Sequence, residues 1–492
     1  MGVAYGAKIS GIRLISSSPS DADEASALTY KLAINSVYSN SWGPNDDGRT
    51  LEGPGLLCSD AFRTGAVMGR GGLGSIYVYA SGNGASLGDD CNFDGYANNI
   101  YTIPIGAITD QNVIAPYSEG CAALYAVTYS SGGKAMITTS DIKNGCTSAH
   151  SGTSAAAPIA AGMIALALSV RPELTWRDVQ YLVIHSARAV ASDDAGWVVN
   201  GAGLRVHHRY GFGNLDAELL VENSKNWTLV PQQFSFTTDT FSPEVKIAQA
   251  SRMPTTVTFV VEDSNEEIPR KLEHVTVTVT ITHPKRGNLV ITLTSPQGTT
   301  SLLAPPRPYD SSSNGFPGWT FTTVRSWGED PSGTWTLTIQ DVSAATPQGE
   351  LTSWSMQFYG QNATEQQVVP TPPFTLTPIL IAAGLALVAI VLLISCIVWC
   401  RWRRADAGRG RHHRVAAADD YDDDDDDDAD SLALASASLV AANNKELYEV
   451  TYPQDNNNDH AAGDGAVYGN DDAGGGPGAP DDDRQRLNVD SD

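Results

Sequence analysis

From Pro378 to Cys400 the sequence is almost wholly apolar, and this run limits the fold more strongly than any other stretch. At about 1.5 Å of rise per residue, a helix of that length crosses a hydrocarbon core roughly 30 Å thick with some tilt. A long uncharged run fits a buried core helix poorly. Arg401, Arg403, Arg404, Arg409, Arg411 and Arg414 follow at once, which by the positive-inside rule places that end in the cytosol. The expectation is a transmembrane helix over 378–400, a lumenal or extracellular part before it, and type I topology.

The formal net charge of −25 is uneven, because residues 401–492 hold 23 Asp/Glu against 9 Lys/Arg. With the acidic run Asp422–Asp428 among Gly, Ala and Asn, this segment cannot bury enough apolar surface to fold and reads as a disordered cytosolic tail. Tyr421, Tyr448 and Tyr452 lie in it and point to sorting adaptors as partners, although no clean tyrosine-based signal is present. Only the short juxtamembrane cluster is basic, so no nucleic-acid partner is expected. The proline-bearing residues 361–377 read as a stalk.

Over residues 1–224, β-branched runs alternate with helical patterns. Strand-like runs are expected at Lys8–Ile15, Ile34–Trp42, Ser75–Ala80, Ile100–Ile108 and Met136–Thr139, and helical ones at Asp21–Lys31, Ala61–Val67, Thr153–Val170 and Thr175–Ser186. That order predicts an α/β parallel sheet with helices on both faces and functional residues at the carboxyl ends of strands. Gly69-Arg70-Gly71-Gly72-Leu73-Gly74 matches a dinucleotide fingerprint as written, but it precedes a strand rather than following one and reads as a turn. Over 230–360, Thr/Val-rich runs at Val257–Val261, Val275–Ile281, Leu289–Thr294 and Trp335–Ile339 are separated by turn signals and predict an all-β sandwich or barrel. Asn226 and Asn362 head glycosylation sequons.

A candidate nucleophile stands out in Ser151-Gly152-Thr153-Ser154-Ala155-Ala156-Ala157-Pro158, where a small-residue turn runs into an alanine-rich segment. A serine there sits at a helix N-terminus beside backbone donors. Asn83, just past the Ile76–Ala80 run in Ala80-Ser81-Gly82-Asn83-Gly84, is placed to complete an oxyanion hole with its amide. Both stretches also occur as ordinary turns.

The stretch around Ser154 resembles the nucleophile motif of subtilisin-like serine proteases. Ser41-Trp42-Gly43-Pro44-Asn45-Asp46-Asp47-Gly48, Gly69–Ser75, Ala80–Gly84, Leu174–Gln180 and Tyr210–Gly213 resemble the kexin/furin branch, the proprotein convertases. Arg286–Leu289, Leu293–Thr299 and Glu329–Trp335 are similar to that family's P domain. The resemblance covers about residues 2–360. It implies a calcium-dependent endopeptidase cleaving proproteins after paired basic residues in the secretory pathway, in the Golgi, trans-Golgi or endosomes.

By position, the resemblance makes Ser154 the nucleophile and Asn83 the oxyanion-hole side chain. Asp46 and Asp94 become the primary-pocket carboxylates, Glu24, Glu52 and Asp21 the more distal acidic positions, and Asp46, Asp89 and Glu119 the calcium ligands. Ser18 stands where the family can have Glu. Any single Asp or Glu would otherwise read as a solvated surface charge. The residues alone leave the pairing of Cys58, Cys91, Cys121 and Cys146 open; the resemblance implies a Cys91–Cys121 disulfide, a buried free Cys58 and an orphaned Cys146.

The family's catalytic Asp and His lie upstream of the segment matching Gly2-Val3-Ala4-Tyr5, so the resemblance leaves Ser154 without a base. The subtilisin-like domain is then expected to be incomplete, with the chain beginning late: Met1–Gly6 shows no signal sequence, although type I topology needs one. His150, His185, His207 and His208 do not match the family's base. The sequence as it stands is expected to be nearly inert, and the alternative reading is a catalytically dead, membrane-anchored binding module for basic peptides.

Overall fold

The computed structural model describes residues 2–362 apart from 16–17, 248–253, 264–266 and 344–348. The stalk from Ala363 onward, the 378–400 run and the 401–492 tail lie outside the described residues.

The first domain is built on a six-stranded sheet. Strands β1 (Val37–Asn40), β2 (Ile76–Ala80), β3 (Thr102–Ile108) and β4 (Ala126–Tyr129) pair in parallel in that order. Period-two side-chain alternation gives β2 two apolar faces. Ile76 and Val78 join the core with helix α3, whereas Tyr77 and Tyr79 join Leu28 of α1 (Asp21–Leu28) and Cys58 and Phe62 of α2 (Leu56–Met68). Helices therefore cover both faces, as expected.

Helix α3 (Thr153–Val170) packs across β1 to β4. It is long and apolar enough to cross a membrane by composition, yet half of it is buried in this core. Its start is set by Gly152, at φ +85°, a backbone conformation that L side chains rarely adopt. Helix α4 (Trp176–His185) begins at a capping box in which Thr175 and Asp178 satisfy each other's backbone N–H groups.

Two expected strands are different elements. Lys8–Ile15 forms no strand, and Ile9 and Ile15 are 94 % and 69 % exposed; a strand needs a hydrogen-bonded neighbour, and none of the sheets includes this segment. Met136–Thr139 belongs to a separate antiparallel hairpin, β5 (Ile137–Ser140) with β6 (Cys146–His150). The Gly69–Gly74 stretch is a turn, latched by Arg70, which donates from Nη1 to the Leu174 carbonyl at 2.7 Å and from Nη2 to that of Pro172 at 2.8 Å. Short strands β7 (Ala187–Arg188), β8 (Val198–Val199), β9 (Arg205–Val206) and β10 (Asn214–Leu215) follow, with β10 and β7 completing the main sheet. Helix α5 (Ala217–Lys225) closes the domain.

The second domain is an antiparallel sandwich. One sheet holds β11 (Gln233–Thr237), β12 (Val245–Lys246), β14 (Lys271–Thr282), β17 (Phe316–Thr323) and β19 (Glu350–Gln361). The other holds β13 (Thr255–Val261), β15 (Leu289–Thr294), β16 (Thr300–Ala304) and β18 (Gly333–Asp341). Alternate residues such as Val275, Val277, Val279 and Ile281 face Leu289, Ile291, Trp335 and Leu337 across the core. The sandwich runs through Gln361, the first residue assigned to the stalk.

The two domains share side chains. Val324 and Trp327 of the sandwich enter the sheet-and-helix core, and Phe93 and Ala122 enter the sandwich core. Arg177 of α4 pairs with Glu273 of β14, both buried. Glu273 also accepts from Tyr181 and Gln233.

Candidate functional site

Ser154 lies in the first turn of α3, half-buried. Beside it, Asn83 follows the carboxyl end of β2. The Thr153 backbone N–H donates to Asn83 Oδ1 at 2.8 Å and the Thr153 hydroxyl donates to the same atom at 3.1 Å. Two donors on one oxygen fix which way the amide faces, so Nδ2 is the end turned toward Asp46. The Ser130 hydroxyl donates to the Gly152 carbonyl at 2.8 Å and that of Thr128 to the Ala156 carbonyl at 2.8 Å, tying the α3 start to the end of β4.

Asn83 also touches the acidic cleft. Its backbone N–H donates to Asp46 Oδ2 at 2.9 Å, and Nδ2 approaches that oxygen at 3.4 Å. Asp46 and Glu52 are exposed, Asp89 and Asp94 are half-buried, and Glu119 is buried, so burial rises across this carboxylate cluster. Asp94 neighbours Glu52 through a backbone bridge. Its Oδ1 accepts from the N–H groups of Tyr96 at 2.7 Å and Ala97 at 3.3 Å. Burial, together with the charges of Asp46 and Asp89, pushes its carboxyl up to about 7 against those bonds. Glu119 is pushed well above the usual carboxylate range by burial and then by Asp89 and Asp46, even though its Oε1 accepts from Gly84 N–H at 2.8 Å. Gly82 and Gly84 are required there: a Cβ would lie 2.4 Å from Glu119 Oε1 at the first and 2.7 Å from Asp89 Cβ at the second.

Asp46, Asp89 and Glu119 are a hard-oxygen set whose mutual repulsion a divalent cation would relieve, which fits calcium. Their ligand atoms do not all lie within 4.8 Å of one another; among the described residues only Asp21, Glu24 and Cys58 do. That second trio has other work. Asp21 Oδ2 and Oδ1 accept from the backbone N–H groups of Leu57 and Cys58 at 2.9 and 2.8 Å, capping α2 where Gly55 offers no side chain. Glu24 Oε2 accepts from the Tyr96 hydroxyl at 2.8 Å. The Cys58 thiol is pushed up by burial and by Glu24, which makes it inert.

Cys91 and Cys121 form a disulfide, Cys58 is a buried free thiol and Cys146 an exposed one. Asn226 is exposed at the end of α5, and Asn362 follows β19. Among the described residues no histidine hydrogen-bonds Ser154. His150 pairs with Ile137 in the exposed hairpin, His185 packs on Tyr181 and Trp227, His207 meets Asp194 at 3.1 Å, His208 meets Asp90 at 2.9 Å, and His274 meets Tyr125 at 2.7 Å. His283 is beside Asp341. Sequence reasoning missed Arg307, a sandwich residue that reaches Asp89; its partner is more than 200 positions away and no local pattern marks it.

A parallel sheet presenting a serine at a helix start beside an asparagine amide, joined to an antiparallel sandwich, defines the subtilisin-like class with an appended β-domain. The solved serine protease of Aeromonas sobria shares this fold, with a TM-score of 0.61, 21 % identity, and coverage of 70 % of this chain and 75 % of that one. Residues 1–213 match the Subtilase family and residues 272–358 match the proprotein convertase P-domain. The chain is 47 % identical over 369 residues to human proprotein convertase subtilisin/kexin type 7, covering 73 % of this chain and 47 % of that protein. It is 43 % identical over 375 residues to bovine furin, covering 76 % and 46 %. The chain therefore belongs to the subtilisin-like proprotein convertases, and it spans about half the length of the curated relatives it matches.

Proposed function

We propose that this chain is the serine-bearing, basic-peptide-binding part of a calcium-dependent endopeptidase that acts on proproteins at paired basic residues. One observation carries the reading: Asn83 is held by Thr153, next to the nucleophile, and by Asp46, at the mouth of the acidic cleft. The reacting atoms and the recognition pocket are thus one hydrogen bond apart on either side of a single residue. A substrate Lys or Arg fits among Asp46 and Asp94 through charge-assisted bonds, with Glu52 and Glu24 further out. The Asn83 amide and the first N–H groups of α3 suit the oxyanion. Calcium bound by Asp46, Asp89 and Glu119 would supply the positive charge that holds these like charges together.

Deprotonating Ser154 requires a base, and no described histidine hydrogen-bonds it. Losing the base of such a triad typically costs on the order of a million-fold in rate, so this chain alone binds rather than cleaves, and the binding-module reading describes what it does by itself. Membrane anchoring through 378–400, a lumenal cleft, glycosylation at Asn226 and Asn362, and adaptor binding by the tail belong to the same proposal and rest on the sequence.

The test uses the full chain and a fluorescent peptide ending in Arg-X-Lys-Arg. Binding is expected with calcium, is lost with chelator, and weakens at least about tenfold in Asp94→Asn, the scale of one charge-assisted contact. A fluorophosphonate should label Ser154 no faster than background set by Ser154→Ala. Absence of peptide binding overturns the basic-peptide reading; rapid labelling with turnover overturns the absence of a base.

A further inference from the structure

Arg307 belongs to the sandwich, just beyond β16, yet its guanidinium ends in the acidic cleft of the other domain. It is fully buried. Nη2 lies 3.0 Å from Asp89 Oδ1 and donates to the Thr50 carbonyl at 2.8 Å, while Nη1 lies 3.4 Å from Asp310 Oδ2. The guanidinium sits 4.0 Å from the centre of the Phe93 ring. A second sandwich arginine, Arg286, holds Asp310 at 2.6 Å and donates to the Arg49 carbonyl at 2.6 Å. Two arginines thus clip the Arg49–Thr50 segment and Asp89 to the sandwich. Asp89 also accepts from the N–H groups of Gly48 at 2.8 Å and Asp90 at 2.9 Å. Among Asp46, Asp89, Asp94 and Glu119, Asp89 alone has an ion-pair partner among the described residues.

We propose that Arg307 is a positioning residue that sets the cation affinity of the acidic cleft: a permanent positive charge, delivered by the sandwich domain, that neutralises Asp89 and occupies one of its oxygens. The inference rests on reading Asp46, Asp89 and Glu119 as a cation site. A guanidinium does not deprotonate in proteins, so the cleft carries one unit less negative charge whenever the sandwich is docked. Because the Arg307 and Asp89 side chains are themselves shielded from water, that unit acts at short range and with little screening. The distal domain thereby tunes a site it does not ligate.

Terbium(III) luminescence titrations of the full chain, with calcium as competitor, test this. Arg307→Gln should tighten terbium binding by about 5- to 50-fold, the effect of one added negative charge at this range, while Arg307→Lys, which keeps the charge, stays within about twofold. In an Asp89→Asn background the Arg307→Gln effect should shrink, the difference being the part that runs through the direct Arg307–Asp89 pair. Arg307→Gln leaves two buried carboxylates short of a partner, so Arg307→Met with Asp310→Asn serves if the single variant fails to fold, with the same tightening expected. Terbium binding by the wild type that is unchanged or weaker in the charge-removing variants overturns this role and leaves the cation site standing. A wild type that binds no terbium overturns both.

Discussion

Both carboxylate oxygens of Asp21 are engaged by the N-terminus of α2, although the family resemblance proposes it for a distal substrate subsite. The two roles separate by substitution. Asp21→Ala should destabilise the fold by about 0.5–2 kcal/mol, the usual cost of a lost helix cap, while Asp21→Asn keeps one of the two acceptors and should melt between Asp21→Ala and wild type. If the cap is its role, Asp21→Asn also leaves Arg-X-Lys-Arg affinity unchanged; a fall in affinity at constant stability would assign Asp21 to the subsite instead. Its neighbour Gly55 is tied to this cap, since a Cβ there would lie 2.3 Å from Asp21 Cγ.

Helix α3 shows what an element can be asked to do. It is a core helix by burial and carries the proposed nucleophile Ser154 in its first turn, and the two are joined at Gly152. With φ +85° and a hypothetical Cβ only 3.0 Å from Asn83 Oδ1, Gly152→Ala should cost about 1–3 kcal/mol of stability from backbone strain. It should also weaken peptide binding, because the displaced Asn83 holds Asp46. Urea unfolding together with the peptide titration checks this; a variant equal to wild type in both would show that Gly152 does not couple helix and cleft. Helix α2 carries a complementary lesson. Its apolar pattern predicts Ala61–Val67, but it begins at Leu56 because its cap comes from another helix.

At the scale of the whole molecule, the domain interface is a buried polar cluster. His274 is fully buried, meets Tyr125 at 2.7 Å and neighbours Glu273 and Arg177. Burial, aided by Arg177 and opposed by Glu273, pushes its ring down to about 4. In the unfolded chain a histidine titrates near 6.5, so between about pH 6.5 and 4 the unfolded state binds a proton that the folded state does not. Stability from this group is full above that window and falls through it, by on the order of 3 kcal/mol. Urea midpoints at pH 7 and 4.5 should differ less in His274→Gln than in wild type; equal pH losses would remove His274 as a cause.

Local patterns in the sequence determined much of this protein. The α3 span, the alternation of β2, the sandwich strands and the Gly-rich turn follow from periodicity and turn chemistry, which act within a few residues. The motif around Ser154 and the position of Asn83 were legible for the same reason. Only the tertiary structure decided that Lys8–Ile15 forms no strand, that Asp21 caps α2, that the Asn83 amide faces Thr153 with its oxygen, and that Arg307 reaches Asp89. Each depends on which distant group arrives with a free donor or acceptor, and hydrogen-bond demand carries no signature along the chain until folding brings the partners together.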